Sequence, residues 1–278
     1  MGWYTDKKVV ITGGSSGIGR ATALLLAGAG ASVGLIARDK AKLDGVLKEL
    51  RTLAVSEHQT FAAVSCSVTD RALLNESARS LVSTLGGIDI LINSAGITYP
   101  AYIEKTPDDV WDSMMQVDYM GTVNSVRAFL PAFMEKQRGT IVNVSSVLGY
   151  MGVFGYAAYG GAKFAVVGFS HCLRQDLLPY NIKISVVYPP DTDTPQWHEE
   201  NRIKPPETRA LAGNIKVLPA ERVAADLLAG VAKGTFAIVP GFMNKVTWFL
   251  SRHFPVILWM IVSGDLRKFW KKHPRRGA

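Results

Sequence analysis

Residues 8–26 read KVVITGGSSGIGRATALLL, which is a β-branched run, a glycine-rich turn and a helix-forming run in that order. Glycines let the backbone approach a pyrophosphate closely, and the N-terminus of the following helix supplies amide donors and a positive dipole end. The stretch therefore indicates a dinucleotide-binding βα unit, although an ordinary βα turn is the alternative. The candidate phosphate-binding residues are Thr12, Gly13, Ser15, Ser16, Gly17, Ile18 and Gly19.

Strand-forming and helix-forming runs alternate along the rest of the chain. We expect strands at residues 8–12, 31–37, 59–64, 87–92, 140–144, 182–188 and 236–239, and helices at 21–26, 40–53, 71–85, 106–133, 159–178 and 219–232. Alternation of this kind predicts an α/β protein with a Rossmann-type, doubly wound parallel sheet in a single domain over residues 1–240. Residues 190–218 are polar with weak periodicity, which predicts a mobile substrate lid.

The C-terminal segment 241–278 differs from the rest in charge and in apolar content. Of the net charge of +8, nearly all comes from this segment, whose basic residues are Lys245, Arg252, Arg267, Lys268, Lys271, Lys272, Arg275 and Arg276 and whose only acid is Asp265. Six of its aromatic residues are expected at the headgroup level of a membrane, namely Trp248, Phe249, Phe254, Trp259, Phe269 and Trp270. A basic, aromatic tail favours an anionic membrane surface over nucleic acid. An oligomer interface and a cover over the substrate pocket are the alternatives.

Several classes of protein are disfavoured. Cys66 and Cys172 are far apart without ligand-like neighbours, which argues against a disulfide framework or a metal site and favours a reducing compartment. The apolar run at 254–262 is too short to span a bilayer, and the N-terminus enters a strand without a signal peptide. We therefore expect a cytoplasmic protein, peripheral on the cytoplasmic face of a membrane: endoplasmic reticulum if eukaryotic, inner membrane if bacterial.

The end of the second expected strand bears on cofactor choice. An acid there would bind the ribose 2′-hydroxyl of NAD, whereas a cation pairs with the 2′-phosphate of NADP. Arg38 occupies this position and Lys42 follows it closely. The sequence thus favours NADPH/NADP+, with a solvated arginine as the alternative.

A tyrosine and a lysine follow the strand at 140–144. Tyr159 and Lys163 lie four residues apart, so a helix places them on one face. An ammonium near a phenol lowers the pKa of the phenol, which suits a proton donor to a developing alkoxide. Ser146, at the end of the strand, is placed to hydrogen-bond the same substrate oxygen. Taken alone, the pair more often marks a solvated helix face. However, the glycine turn, Asn93, Ser146 and Pro189 all follow strands, and the carboxyl ends of parallel strands form the binding edge.

These residues together resemble the classical short-chain dehydrogenase/reductase family over about residues 7–240. The matching motifs are Thr12-Gly13-x3-Gly17-Ile18-Gly19, Asn93-x-Ala95-Gly96, Ser146, Tyr159-x3-Lys163 and the segment from Pro189 to Thr194. The resemblance implies that Tyr159 is the general acid/base, that Ser146 orients the carbonyl, and that Lys163 lowers the pKa of Tyr159 and holds the nicotinamide ribose. It also implies cofactor contacts from Ser67, Val68, Asn93, Ala95, Gly96, Pro189, Thr192 and Thr194, and a homo-oligomer (dimer or tetramer).

Two positions depart from the family pattern. Asp118 stands where members usually carry an asparagine of a proton relay, and its charge should stabilise the ammonium of Lys163. Ser67 replaces the acid often found near the adenine.

A narrower resemblance is carried by YPPDTDTPQWHEEN at residues 188–201 and KPPET at 204–208. These segments resemble the 3-ketodihydrosphingosine (3-dehydrosphinganine) reductases, which implies NADPH-dependent reduction of a long-chain amino ketone in sphingolipid biosynthesis. Its amine would favour a nearby acid, and the candidates are Asp191, Asp193, Glu199 and Glu200, with solvated acids as the alternative. Reduction of another lipophilic ketone (a steroid, a retinoid or a 3-oxoacyl thioester) and a weakly catalytic NADP-binding sensor remain alternatives.

Overall fold

The structure is a computed structural model that describes residues 2–213 and 216–274, so Arg275 and Arg276 of the basic tail lie outside the described residues. The strands are β1 Lys8–Thr12, β2 Ser32–Ala37, β3 Phe61–Ser65, β4 Ile90–Asn93, β5 Gly139–Val144, β6 Ile182–Val187, β7 Thr192–Asp193, β8 Leu218–Pro219 and β9 Ala237–Ile238. The helices are α1 Gly17–Gly28, α2 Lys40–Thr52, α3 Arg71–Leu85, α4 Asp108–Met114, α5 Gly121–Lys136, α6 Ala157–Asp176, α7 Pro195–Ile203, α8 Pro206–Ala212, α9 Ala220–Ala232, α10 Phe242–His253 and α11 Pro255–Lys272.

Seven strands form one sheet in the order β3-β2-β1-β4-β5-β6-β9, and every neighbouring pair is parallel. The predicted doubly wound α/β fold is therefore confirmed. The strand order reverses between β1 and β4, and ligands of such sheets bind at this switch point, outside the carboxyl ends of the strands.

Alternate residues of each central strand enter opposite core layers. On β1, Val9 and Ile11 pack on one face with Leu26 of α1, while Val10 packs on the other face with Phe129 of α5. All five side chains are fully buried. Because parallel strands are covered on both faces, their sequences read as continuous apolar runs, and this made them recognisable.

The lid segment is more ordered than predicted. Residues 190–218 contain β7, α7, α8 and β8, and β7 pairs with β8 in a small parallel ladder. Thr194 caps α7 by accepting a hydrogen bond from the Trp197 amide at 3.2 Å, and Pro195 occupies the first turn. These helices have nine and seven residues, which is too short for their periodicity to stand out in the sequence.

Other boundaries also differ from the expected ones. β4 begins at Ile90 instead of residue 87, because Gly87 has a positive φ of 126° in the preceding turn. β3 begins at Phe61 instead of 59, because the Gln59 side chain accepts hydrogen bonds from the loop amides of Val55 and Ser56. The helix that carries Tyr159 begins earlier, at Ala157. The helix expected at 106–133 is interrupted by a π-helical turn, Met115–Met120.

The tail forms two helices, α10 and α11, which meet at a bend of 119°. Within the described residues, no helix is by itself long and apolar enough to cross a membrane, although the bent pair passes that test when taken together. Two aromatic residues expected at the headgroup level lie against the protein instead. Trp248 packs on the cluster formed by Val186, Tyr188 and Val239, and Trp270 stacks edge-on with Phe154 at 5.9 Å.

Candidate active site

A cavity of about 880 Å³ lies along the carboxyl ends of the central strands. Its lining includes the predicted residues Gly13, Ser15, Ser16, Gly17, Ile18, Arg38, Lys42, Ser67, Val68, Ala95, Gly96, Ser146, Tyr159, Lys163, Pro189, Asp191, Thr192 and Thr194. The fold therefore brings most of the predicted site together around one space.

The glycine turn fits a dinucleotide pyrophosphate. Gly13 has φ of 73°, and a Cβ there would lie 2.6 Å from the Ala95 amide nitrogen. A Cβ on Gly19 would overlap the carbonyl of Gly13, so the turn can close only with glycine. At the N-cap of α1, the Ser16 side chain makes no capping hydrogen bond, which leaves the amides of the first turn to an anion.

The far end of the cavity carries cationic side chains. Asp39 caps α2 by accepting from the Lys42 amide at 3.0 Å, and its carboxylate lies 3.6 Å from the Lys42 ammonium. The Lys42 amide lowers the pKa of Asp39, so this acid is charged and offsets Lys42. Arg38 has no ion-pair partner in the described part of the chain. Its guanidinium is therefore the cation most available to a phosphate at this end.

Ser146, Tyr159 and Lys163 meet at the centre of the cavity. Ser146 follows β5, and the other two lie on one face of α6, as predicted from their spacing. All three residues are buried, with relative exposures of 8%, 9% and 4%. The Lys163 ammonium lies 5.4 Å from the centre of the Tyr159 ring and donates to the Val144 carbonyl at 3.3 Å.

The pKa of Tyr159 differs from the expectation. Burial raises the pKa of this phenol to about 12, although the Lys163 charge and a hydrogen bond with Ser146 act to lower it. Lys163 thus acts in the predicted direction, but it does not bring the pKa of Tyr159 below the ordinary value of a tyrosine. Desolvation dominates because the phenol lies inside the protein.

Asp118 approaches Lys163 as predicted. Its Oδ1 lies 3.1 Å from the Lys163 ammonium and accepts from the Ile97 amide at 3.2 Å. Burial raises the pKa of Asp118, and Lys163 opposes that rise. Burial also lowers the pKa of Lys163, but the charges of Asp118 and Tyr159 more than offset this and raise it. The buried pair therefore favours an ammonium beside the phenol. The π-helical turn that presents Asp118 gave no recognisable signal in the sequence.

Six predicted residues do not line the cavity. Asp118 pairs with Lys163, and Glu199 is exposed and pairs with Arg202. Thr12 and Gly19 are also outside the lining. Asn93 and Asn143 are register partners on β4 and β5, and the Asn93 side chain donates to the Asn143 side chain at 2.9 Å. Asp193 is exposed and pairs with His198 at 2.8 Å, because alternate residues of β7 point to opposite sides. The structure does not bring the side chains of Asn93 and Asp193 to the cavity, and their roles at the cofactor and the substrate stay predictions.

Two further groups line the cavity. Tyr156, Glu200 and Lys204 form a polar cluster near Tyr159. Glu200 was one of several candidate acids, but no local signal singled out Tyr156 or Lys204, because they lie on different elements. The tail supplies a largely apolar wall, namely Phe242, Met243, Asn244, Thr247, Leu258 and Val262, together with Asp265.

Known proteins resemble this chain in sequence. The family model described as "short chain dehydrogenase" matches residues 7–204. The chain is similar to a "3-dehydrosphinganine reductase" of Danio rerio, with 38% identity over 229 residues, 82% of this chain and 69% of that protein. It is also similar to a "3-oxoacyl-[acyl-carrier-protein] reductase FabG" of Thermotoga maritima, with 36% identity over 191 residues, 68% of this chain and 75% of that protein.

A solved structure has a similar fold. It is a short-chain dehydrogenase/reductase from Burkholderia phymatum in complex with NAD, with a TM-score of 0.75 and 25% identity, and the match covers 86% of this chain and 90% of that chain.

Proposed function

Because the chain belongs to the short-chain dehydrogenase family and is an oxidoreductase that takes a nicotinamide cofactor, we propose that it reduces 3-ketodihydrosphingosine to dihydrosphingosine with NADPH. One observation carries this proposal. A single cavity joins the glycine turn and Arg38 to Tyr159 and then to the apolar wall formed by α10 and α11. Such a cavity suits a substrate with a polar reactive end and a long alkyl chain.

In the proposed reaction, the cofactor supplies the hydride that reaches the carbonyl carbon. Tyr159 donates its hydroxyl proton to the carbonyl oxygen, which Ser146 also holds by a hydrogen bond. The pKa of about 12 keeps the phenol protonated and ready to donate. Lys163, fixed by Asp118 and by the Val144 carbonyl, stabilises the phenolate that remains.

The preference for NADPH rests on Arg38. This exposed side chain lines the cavity at the end of β2, where a 2′-phosphate would lie. Lys42 lines the same region, although Asp39 offsets part of its charge. A 2′-phosphate would therefore meet the charge of Arg38, which no acid offsets within the described residues, and the charge of Lys42, which Asp39 partly offsets.

The tail is proposed to hold the enzyme on the cytoplasmic face of an anionic membrane. Its exposed apolar side chains are Phe242, Met243, Val246, Phe249, Phe254, Val256, Ile257, Trp259, Met260 and Ile261. Basic residues lie on the same two helices, among them Lys245, Arg252 and Lys271. Since Phe242 and Met243 also line the cavity, the exposed apolar surface continues to its mouth. The homo-oligomer remains a prediction, to be checked by light scattering in detergent.

The test is NADPH oxidation with 3-ketodihydrosphingosine in mixed micelles or vesicles. We expect turnover by the wild-type protein and a loss of at least about 100-fold in kcat for Tyr159→Phe. Tyr99→Phe, at a tyrosine outside the cavity lining, is the matched control. Absence of turnover by the wild type, or unchanged turnover by Tyr159→Phe, rejects the proposal. Vesicle co-sedimentation with and without residues 241–278 tests the membrane contact.

A 3-oxoacyl thioester is the second candidate substrate, favoured by the similarity to the Thermotoga maritima reductase. Its reactive end carries no amine and continues into a bulky carrier. A competition assay with both ketones separates the two proposals. Higher kcat/KM for the thioester decides against the amino ketone.

A further inference from the structure

Three side chains form a connected polar cluster beside Tyr159. The Glu200 Oε1 atom accepts a hydrogen bond from the Tyr156 hydroxyl at 3.1 Å and lies 2.7 Å from the Lys204 ammonium. The Lys204 side chain is almost fully buried, and its ammonium lies 6.0 Å from the centre of the Tyr156 ring and 5.8 Å from that of Trp197. Both contacts fix the Glu200 carboxylate in one orientation.

The cluster leaves carboxylate oxygens without partners. Within residues 2–213 and 216–274, neither Oε2 of Glu200 nor the Asp191 carboxylate has a hydrogen-bond or ion-pair partner. Both residues line the cavity. Burial raises the pKa of Glu200 and the charge of Asp191 adds to this rise, while Lys204 and the Tyr156 hydrogen bond oppose it. Two carboxylates against the single ammonium of Lys204 leave this wall with a net negative charge.

The cluster is also close to the reacting group. The ring centres of Tyr156 and Tyr159 are 6.1 Å apart, and the charge of Glu200 contributes to raising the pKa of Tyr159. The neighbouring pair of Lys163 and Asp118 is neutral as a unit. A substrate whose carbonyl oxygen is bound by Tyr159 and Ser146 therefore places the substituent on the adjacent carbon within reach of this negative wall.

We propose that Glu200, held by Tyr156 and Lys204, binds the ammonium on the carbon next to the reacting ketone, with Asp191 as the second negative group. Glu200 is then the residue by which this site selects an α-amino ketone over a neutral ketone of equal chain length. This inference rests on the proposed function, since it names a specificity residue for that reaction. A buried carboxylate with a free oxygen stabilises a bound cation, and it gives a neutral ligand no comparable gain.

The test compares two substrates, 3-ketodihydrosphingosine and the same long-chain hydroxy ketone without the amine. The readout is the ratio of their kcat/KM values, which cancels losses that affect both substrates alike. We expect Glu200→Gln to lower the ratio of amino ketone to neutral ketone by about 10- to 100-fold, the range for a hydrogen bond to a charged group. Glu199→Gln is the matched control, because Glu199 is exposed on the same helix and pairs with Arg202. It should leave the ratio within about twofold of the wild-type value.

Two more variants guard against a folding defect, since Glu200→Gln leaves Lys204 without its counter-charge. The double variant Glu200→Gln with Lys204→Gln removes both charges and should show the same fall in the ratio. Lys204→Gln alone should raise the ratio, because Glu200 then acts without its counter-ion. A wild-type ratio near one, or an unchanged ratio in the double variant, overturns the role of Glu200 while leaving the reductase proposal intact. Absence of turnover of both ketones by the wild type overturns both.

Discussion

The buried pair of Lys163 and Asp118 gives the sharpest prediction about stability. Replacing Asp118 by asparagine keeps the shape of the side chain and removes its charge. The Lys163 ammonium then retains the Val144 carbonyl at 3.3 Å and a neutral amide oxygen in a site where its own side chain is 5% exposed. Removing one partner of a buried pair costs about 3–5 kcal/mol. Alternatively, Lys163 loses its proton and the buried charge disappears. At pH 7, deprotonating a lysine from its ordinary pKa of about 10.4 costs about 4.6 kcal/mol, which is a similar amount.

The Asp118→Asn variant also removes the cost of burying the carboxylate itself, so we expect the low end of that range, about 3 kcal/mol. For a domain of this size the loss corresponds to a fall in Tm of roughly 6–12 °C. Urea unfolding at pH 7 measures the free energy directly. Asp112→Asn, an exposed acid on α4, is the matched control and should change it by less than about 0.5 kcal/mol.

The pH dependence of this difference has a definite sign. In the wild type, the folded pKa of Lys163 is raised, so its contribution to stability is fully present below the unfolded pKa and is lost only as pH rises beyond it. In the variant the Asp118 charge is gone, and burial, the largest influence, lowers the folded pKa of Lys163. The variant therefore gains stability as pH rises from 7 toward about 10. The gap between the two proteins should therefore narrow over this interval. Equal stability at pH 7, or a gap that does not change with pH, refutes the reasoning.

Three other outcomes are expected. Arg38→Ala should raise KM for NADPH by about 10- to 100-fold in steady-state assays, while KM for NADH changes little. The control Lys40→Ala, outside the cavity lining, should change neither KM. An equal rise in KM for both cofactors contradicts the role of Arg38. Gly96→Ala puts a methyl group 2.5 Å from Oδ1 of Asp118 and should lower the free energy of unfolding in urea by about 1–3 kcal/mol. The control Gly152→Ala meets no atom within 4 Å. Similar stability of the two variants argues against this contact. Near-ultraviolet absorbance titration of the wild type without added cofactor, compared with Tyr159→Phe, should show no phenolate from Tyr159 below about pH 10, because the pKa of Tyr159 is about 12. Ionisation of Tyr159 near pH 8 rejects the argument that burial raises its pKa.

The sequence was sufficient for the fold and for the central pair of catalytic candidates. The strands of a parallel sheet covered on both faces are apolar runs, and residues four apart share a helix face whatever surrounds them. Hence β1, the glycine turn, Arg38, and the pair of Tyr159 and Lys163 lie where local patterns placed them. The sequence was a poorer guide to the lid, because two short helices leave little periodicity to detect.

The features missed in the sequence depend on distant parts of the chain coming together. The Asn93 side chain bonds across the sheet because its register partner on the next strand is another asparagine. Glu200 was one of four candidate acids in the sequence, and only its contact with Tyr156, 44 residues away, singles it out. The raised pKa of Tyr159 depends on burial, which no spacing encodes. Local periodicity and steric limits thus determined the sheet, the glycine turn and the Tyr159–Lys163 pair, whereas the charge state of that pair and the walls of its cavity were decided by packing.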